Sequence, residues 1–256
     1  MVDFYLSIIF CKLIKKWKNQ TKNSLIWYNY TKNIGGVFYE QEKTFKIILL
    51  IILIVLAIFV LYTLRNFIIV KGLQNKIAQY TSISNFSATI NQTFTDDSTN
   101  VLINYYQDGN KQAVILQRTD SNGEVIKMSQ YNNGERCDVF WDAKDSKTAQ
   151  LNAANTINVQ LTNSLETDND WQTLLACTFA VIKSTKYNGK DCYSITNYMS
   201  PLFMNGTEKN EVYVDKETGI AIKNIMDNQI TEKEYNFNTV DESVFTEPDI
   251  GQYTLK

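Results

Sequence analysis

An unbroken apolar run from Ile47 to Leu64 is the most distinctive pattern along the chain, and its 18 residues include no charged side chain. As an α-helix, such a run measures about 27 Å, close to the thickness of the hydrocarbon core of a bilayer. Residues 67–70 are also apolar and can extend the helix by one turn if the Arg65 guanidinium reaches the interface. The pattern therefore predicts a single transmembrane helix at residues 45–70.

A different pattern begins after residue 85, where short runs rich in Val, Ile, Thr, Tyr and Phe alternate with turn signals such as Asp108-Gly109. This alternation is typical of antiparallel strands joined by hairpins. A short helix at 171–180, which Asn169 or Asp170 can cap, interrupts the strands. The strands are predicted at 86–94, 100–107, 111–119, 124–131, 136–143, 181–187, 191–198, 211–215, 220–226 and 230–238.

Several predicted strands carry apolar residues on both sides. In one of them, Val101, Ile103 and Tyr105 alternate with Leu102 and Tyr106. A sheet with one solvated side would alternate cleanly between apolar and polar positions. The sequence therefore predicts an α+β fold, in which a concave sheet is covered by helices on one side and by a core or a cavity on the other.

Four segments of this β-rich part carry a family resemblance through their order and spacing: NGERCDVFWDAKDSKTAQL (133–151), KYNGKDCYSI (186–195), EVYVDKETGIAIK (211–223), and EYNFNTV (234–240) followed by Phe245 and Pro248. Together they resemble the LolA/LppX-like family of lipoprotein-sorting proteins over most of residues 85–253. The resemblance implies a curved antiparallel sheet, an incomplete β-barrel, packed on one or two helices around an apolar cavity. Members of that family carry lipoproteins or lipids, or sense the state of the envelope. A chain fixed by a transmembrane helix cannot shuttle freely, so the resemblance implies binding or sensing here.

The two flanks of the apolar run differ in charge. Residues 1–46 hold eight lysines and three acidic residues, whereas residues 66–256 hold 16 basic and 24 acidic residues. Lysines beside a membrane helix stay in the cytoplasm, so the N-terminus is predicted inside and the C-terminal part outside. A cleaved signal peptide is the alternative, but the run begins about 46 residues into the chain and has no small-residue cleavage site after it.

The predicted organisation has four parts: a basic and aromatic cytoplasmic segment (1–44), the transmembrane helix (45–70), a juxtamembrane linker (71–84) and an extracytoplasmic LolA-like domain (85–256). In the first part, apolar residues from Leu6 to Trp17 share one face of a helix and lysines occupy the other. Such a helix binds the surface of an anionic membrane. The alternative is that these lysines only set the topology. The predicted location is the cell membrane, with a single pass.

The residue types that carry most enzyme chemistry are missing from the chain. There is no histidine, and the ten glycines include no glycine-rich phosphate loop. Without histidine the usual Ser-His-Asp and Cys-His pairs and His-based metal sites cannot form. The acidic C-terminal part also lacks the clustered positive charge that binds nucleic acid. The sequence predicts no catalysis, cofactor, metal site or nucleic-acid partner, and leaves hydrolysis by two carboxylates as the enzymatic alternative.

Three of the four cysteines follow the apolar run, where an extracytoplasmic location permits a disulfide. We predict a Cys177–Cys192 disulfide that joins the short helix to a strand and contributes roughly 3 kcal/mol through loop closure. A Cys137–Cys192 pair is one alternative, and three reduced, buried cysteines are the other. Cys11 lies on the predicted cytoplasmic side, as a free thiol or an acylation site.

The functional hypothesis from the sequence is a binding domain for a lipid, an acyl chain or a lipoprotein segment. Val139 and Trp141 share one side of their strand and are the predicted lining residues, together with Ile103 and Tyr105. The alternative for these residues is an ordinary core position. The alternative function is an envelope sensor or interaction scaffold that works with a protein partner at the membrane through residues 1–44.

Overall fold

The computed structural model of the chain describes residues 35–153, 165, 169–196 and 210–256, with side chains from Thr44 onward. The helices are α1 (Gly35–Ile77) and α2 (Asp170–Phe179), and short 3-10 helices lie at Glu242–Phe245 and Ile250–Gln252. The strands are β1 (Asn85–Phe94), β2 (Asn100–Asp108), β3 (Lys111–Thr119), β4 (Val125–Asn132), β5 (Cys137–Ala143), β6 (Ser146–Gln150), β7 (Val181–Tyr187), β8 (Lys190–Thr196), β9 (Asn210–Asp215), β10 (Ala221–Met226), β11 (Gln229–Phe237) and β12 (Thr254–Leu255). The surface helix predicted around Leu6 to Trp17, and Cys11 within it, lie outside the described residues.

The strands and the short helix predicted from the pattern are confirmed, with boundaries that differ by at most one residue, and the predicted strand end at 198 lies outside the described residues. The Asn169 side chain caps α2 by accepting a hydrogen bond of 2.9 Å from the backbone N–H of Gln172. The alternation pattern did not predict two of the strands. β6 is a short and mostly polar strand, and β12 has only two residues, so neither carries a clear alternation.

Helix α1 is the one helix among the described residues that is long and apolar enough to cross a membrane by length and composition. The chain divides into two compact units, residues 1–60 and residues 61–256. In the first unit the large apolar side chains from Ile47 to Val60 are exposed. An exposed apolar surface of this extent requires lipid or another apolar partner around it.

In the second unit, the C-terminal part of α1 belongs to the core of the domain. Its buried positions are Thr63, Asn66, Val70, Leu73 and Ile77, spaced three or four residues apart as on one face of a helix. The predicted helix end at residue 70 and linker at 71–84 therefore differ from the structure, where the helix continues through seven more residues. Two of these buried residues, Thr63 and Asn66, are themselves polar, and further polar residues lie between the buried positions, so the helical period is obscured in the sequence.

The sheet is open and mixed, in the order β12-β6-β5-β4-β3-β2-β1-β11-β10-β9-β8-β7. Neighbouring strands pair antiparallel throughout, except that β12 lies parallel to β6. Non-local pairing between β1 and β11 joins the two halves of the sheet along nine residues. The α+β class with a curved open sheet is confirmed.

One side of the sheet carries the hydrophobic core, and we call it the helix-facing side. On β1, Phe86, Ala88 and Ile90 point to this side and pack with Ile77 of α1. A second cluster on the same side joins the C-terminal part of α1, α2 and strands β7 to β10; its buried members are Val70, Leu73, Leu165, Ala176, Cys177, Ala180, Ile182, Ile195, Val212, Val214 and Ala221. The strand register then assigns every other residue of the sheet to one of its two sides.

Candidate functional site on the helix-facing side of the sheet

The four predicted lining residues lie on the helix-facing side, in two rows that cross the strands. The first row pairs Tyr105 with Val114, Val114 with Gln130, and Gln130 with Val139. All four are buried, with at most 5% of each residue exposed. Tyr105 and Val114 belong to the hydrophobic cluster around Ile77. This row lies in closed packing, so the structure places Tyr105 and Val139 as core residues.

The second row is two residues further along each strand and is more open. It pairs Ile103 with Leu116, Leu116 with Met128, and Met128 with Trp141, and we call these four residues the apolar strip. Each is half-buried. Two of the four predicted lining residues, Ile103 and Trp141, are therefore placed where a ligand could touch them, and that contact stays a prediction.

The exposure of side chains increases further along the strands. The row beyond the apolar strip contains Ile126, which is 41% exposed, beside Arg118. At one end of the strip, the Lys256 ammonium lies 5.3 Å from the centre of the Trp141 ring. The strip thus lies between a closed core and the solvent, where an apolar chain could cover it.

Leu116 and Met128 were missed by the sequence analysis, although a signal for Leu116 is present. The Asp108-Gly109 turn fixes the β2–β3 hairpin, in which Asp108 opposes Lys111. Counting back from that turn places Leu116 opposite Ile103. Hairpin register could therefore have extended the predicted lining from β2 to β3.

The row that contains the apolar strip extends beyond Ile103 to β1 and β11. A cavity of about 210 Å³ lies at that end, and we call it the polar cavity. The register places all its lining residues on the helix-facing side: Gln92, Asn224, Met226, Gln229, Thr231 and Lys233. Within the described part of the chain, three buried oxygen atoms on the same side have no hydrogen-bond partner, namely Asn210 Oδ1, Asn224 Oδ1 and the Tyr235 hydroxyl. Burial raises the pKa of Tyr235 to about 12, so this hydroxyl stays protonated.

Lys233 is the charged residue of the polar cavity. It pairs with Ile90 across the β1–β11 register and also borders a second cavity, of about 320 Å³. Among the described residues its ammonium group forms no ion pair and no hydrogen bond, in contrast to Lys223, which lies 2.9 Å from Glu232. Burial lowers the pKa of Lys233 because the charged form loses hydration. No sequence signal could have found this residue, because the β1–β11 pairing joins segments far apart in the chain.

The opposite side of the sheet carries polar groups that already satisfy one another. Glu232 accepts hydrogen bonds from the Tyr187 hydroxyl and from Lys223, and these two bonds lower the pKa of its carboxyl group. The Lys223 ammonium also lies 4.7 Å from the centre of the Tyr187 ring. A cavity of about 660 Å³ on this side has a largely polar and charged lining that includes Lys127, Asp142 and Lys147. These surfaces suit water better than an apolar ligand.

The predicted Cys177–Cys192 disulfide is not formed in the structure, where Cys137, Cys177 and Cys192 are free and buried. The two cysteines lie on opposite sides of the sheet. Cys177 packs in the same cluster as Ile195, whereas strand alternation turns Cys192 to the opposite side. The alternative Cys137–Cys192 pair is also separated, because seven strands lie between β5 and β8.

Thiol labelling of the full chain tests this arrangement. Burial raises the pKa of Cys177 to about 12 and also raises the pKa of Cys137 and Cys192. We expect no alkylation of these three thiols in the folded protein at mildly alkaline pH, because the thiolate is the reactive form. In denaturant without a reductant all three should react, as measured by peptide mass spectrometry. Protection of Cys177 and Cys192 that persists in denaturant would instead indicate a disulfide.

A metal centre finds no support in the part of the chain that the structure describes. No group of three or more Asp, Glu or Cys side chains is arranged there to hold a metal ion. The acidic pair Asp96 and Asp97 lies in a turn, where Asp97 Oδ1 accepts a hydrogen bond of 2.9 Å from the backbone N–H of Thr99. This is the local turn role expected of such a residue.

Comparison with known proteins gives distant structural likenesses only. No family model and no curated protein sequence matches the chain. Among solved structures, MucB is similar at 11% identity and a TM-score of 0.32, over 70% of this chain and 62% of that chain. MucB in complex with MucA(peri) gives 10% identity and a TM-score of 0.31, over 69% and 59%. A DUF1329 family protein from Desulfovibrio piger gives 8% identity and a TM-score of 0.28, over 72% and 97%.

The matched region therefore spans less than two thirds of the MucB chains. At TM-scores near 0.3, these likenesses decide neither the function nor the partner of this chain. The site is defined by the side chains of the apolar strip and the polar cavity.

Proposed function

We propose that the chain is a membrane-anchored, extracytoplasmic binding domain of LolA-like architecture that holds the apolar chain of a lipid or lipoprotein without catalysing a reaction. The observation that carries this proposal is the apolar strip of Ile103, Leu116, Met128 and Trp141. These residues form one continuous cross-strand row that is neither closed core nor polar surface.

The energetics of the strip favour an apolar occupant. Each of its four large side chains retains exposed apolar area, and covering that area is worth on the order of 1 kcal/mol per side chain. The neighbouring row, which contains Tyr105 and Val139, is closely packed. A ligand on the strip would therefore not have to displace the core to bind. A preformed apolar surface of this kind lowers the entropic cost of binding.

Anchoring by α1 is the second part of the proposal. Its exposed apolar side chains from Ile47 to Val60 would face lipid, and eight lysines lie in residues 1–46. The charge asymmetry favours an N-terminus in the cytoplasm and a binding domain outside. A protein partner, and a role of residues 1–44 in contacting it, stay predictions.

Substitution in the apolar strip tests the binding function. Met128→Gln in the full chain should reduce the amphiphile that co-purifies with the protein about tenfold or more, because an unpaired amide would lie against the apolar chain. The measurement is mass spectrometry of lipid extracted per mole of protein in amphipol. Lys127→Gln is the matched control, since Lys127 is the preceding residue on β4 and faces the opposite side.

The control variant should retain the wild-type amount of co-purified amphiphile. Equal amounts in the wild type, Met128→Gln and Lys127→Gln would indicate lipid bound around α1 alone and would contradict a site on the sheet. Both variants should keep the near-ultraviolet circular dichroism of the wild type, which shows that the fold is intact.

A further inference from the structure

The apolar strip leads to a charged residue along one row of the sheet. Beyond Ile103 the same row continues through Ile90 on β1 to Lys233 on β11. Between Trp141 on β5 and Lys233 there are five strand spacings, or about 24 Å at about 4.8 Å per spacing. Lys256 lies at the Trp141 end of the strip, and Lys233 lies at the other end of the row beyond Ile90, which is buried. The polar cavity lies at the Lys233 end, so this end would suit the anionic head group of an amphiphile.

The polar cavity at this end has the size of a head group. Its volume of about 210 Å³ is smaller than typical pockets for whole ligands, which begin at about 300 Å³. The cavity presents amide groups of Gln92, Asn224 and Gln229 and the hydroxyl of Thr231. Gln229 Nε2 donates to Thr231 Oγ1 at 3.3 Å, which orients these two side chains against each other.

Several polar atoms on this side have no partner among the residues that the structure describes. Asn210 Oδ1, Asn224 Oδ1 and the Tyr235 hydroxyl are buried without a hydrogen bond, and the Lys233 ammonium is without an anion among the described residues. Burying such groups unpaired is costly. An anion would accept hydrogen bonds from the Lys233 ammonium and from amide N–H groups beside it, whereas the two asparagine oxygens are acceptors that only a donor can satisfy.

We propose that the ligand is an amphiphile with an anionic head group, which Lys233 and the polar cavity bind, while its apolar chain lies along the apolar strip. This inference rests on the binding function proposed above and adds the charge of the ligand and its direction on the sheet. A carboxylate and a phosphate share the necessary chemistry, because both accept charge-assisted hydrogen bonds.

Lys223 shows what a purely structural lysine looks like in this sheet. Its ammonium pairs with Glu232 and lies over the Tyr187 ring on the opposite side of the sheet. Lys233 is one strand position from Glu232 and Glu234, but alternation turns those carboxylates away from the side that Lys233 faces. The charge of Lys233 is therefore available for a ligand.

Fluorescence quenching measures both the position and the charge preference of the ligand. Trp141 becomes the sole tryptophan in the full chain with the background substitutions Trp17→Phe, Trp27→Phe and Trp171→Phe. In amphipol at mildly alkaline pH, dibromostearate should quench Trp141, and its uncharged methyl ester should bind about tenfold or more weakly. Competition by lysophosphatidate against dibromostearate distinguishes a phosphate site from a carboxylate site.

Substitution of Lys233 separates head-group binding from chain binding. Lys233→Met should lower the affinity for dibromostearate about tenfold or more and leave the affinity for the methyl ester unchanged. Lys233→Arg should retain the preference for the anion, and Lys127→Met, on the opposite side, should bind like the wild type.

The outcomes are distinct. Equal affinity for the acid and the ester, unchanged in Lys233→Met, would overturn the head-group inference and leave the binding function standing. Loss of both ligands in Lys233→Met, with an unaltered near-ultraviolet spectrum, would also overturn it, because the lysine would then support the chain site. Absence of quenching by either probe in the wild type would overturn the proposed binding function itself.

Discussion

Replacing Gly219 with alanine should lower the midpoint of thermal unfolding by on the order of 10 °C. Gly219 ends the turn between β9 and β10 with a φ of +74°, which disfavours any L side chain. A Cβ atom there would lie 2.3 Å from the carbonyl oxygen of Leu73 and 3.0 Å from the backbone nitrogen of Ile77. Backbone strain and this overlap together cost about 2–5 kcal/mol. Near-ultraviolet circular dichroism of the full chain in detergent measures the midpoint.

Gly189→Ala separates the two contributions. Gly189 has a similar φ of +77°, but no heavy atom lies within 4 Å of the place that an added Cβ atom would occupy. In this variant the free energy of unfolding should fall only by the strain of the backbone conformation, about 1–2 kcal/mol. Equal losses in Gly189→Ala and Gly219→Ala would contradict the close contact between the β9–β10 turn and α1.

The isosteric change Asn66→Asp should destabilise the domain by about 3 kcal/mol or more. Asn66 is fully buried, and its side-chain amide donates to the carbonyl oxygens of Cys177 and Ala180 at 3.1 and 2.9 Å. These carbonyls lie at the C-terminal end of α2, where helix hydrogen bonding leaves them without backbone donors. A carboxylate would remove both donors and add negative charge beside the negative end of the helix dipole.

Asn66 Oδ1 also accepts a hydrogen bond of 3.1 Å from the Arg65 guanidinium, and a carboxylate would keep this contact. The expected loss therefore comes from the two missing donors. Urea unfolding of the full chain in detergent measures it.

Asn75→Asp is the matched control, since Asn75 is exposed on the same helix. It should change stability by less than about 1 kcal/mol. A similar loss in Asn66→Asp and Asn75→Asp would show that the hydrogen bonds between α1 and α2 contribute little. Together with Gly219→Ala, this experiment tests whether the β9–β10 turn and α2 both stabilise the C-terminal part of α1.

Part of the candidate site could be predicted from the sequence. Val139 and Trp141 were assigned to one side of their strand by alternation, and the structure confirms that shared side. Alternation could not separate them, however, because exposure depends on which row the neighbouring strands and helices cover. Val139 is 5% exposed and lies in closed packing, whereas Trp141 is half-buried.

Lys233 and Cys192 show what local pattern cannot reveal. The environment of Lys233 depends on the pairing of β1 with β11, whose partners are separated by more than 130 residues. Cys192 was paired with Cys177 because their spacing suits a disulfide, but spacing along the chain does not state on which side of a sheet a residue lies. Both questions require the register of the assembled sheet.

The sequence by itself determined the apolar segment of α1, the boundaries of most strands, α2 with its Asn169 cap, and the α+β class. These features follow from short-range causes: continuous apolarity, alternation, hairpin turns and a capping side chain. Only the tertiary structure decided that α1 extends to Ile77 as part of the core, that the three cysteines stay apart, and that the apolar strip leads to Lys233. Each of these depends on contacts between residues distant in the chain, where side-chain packing and strand pairing outweigh local preference.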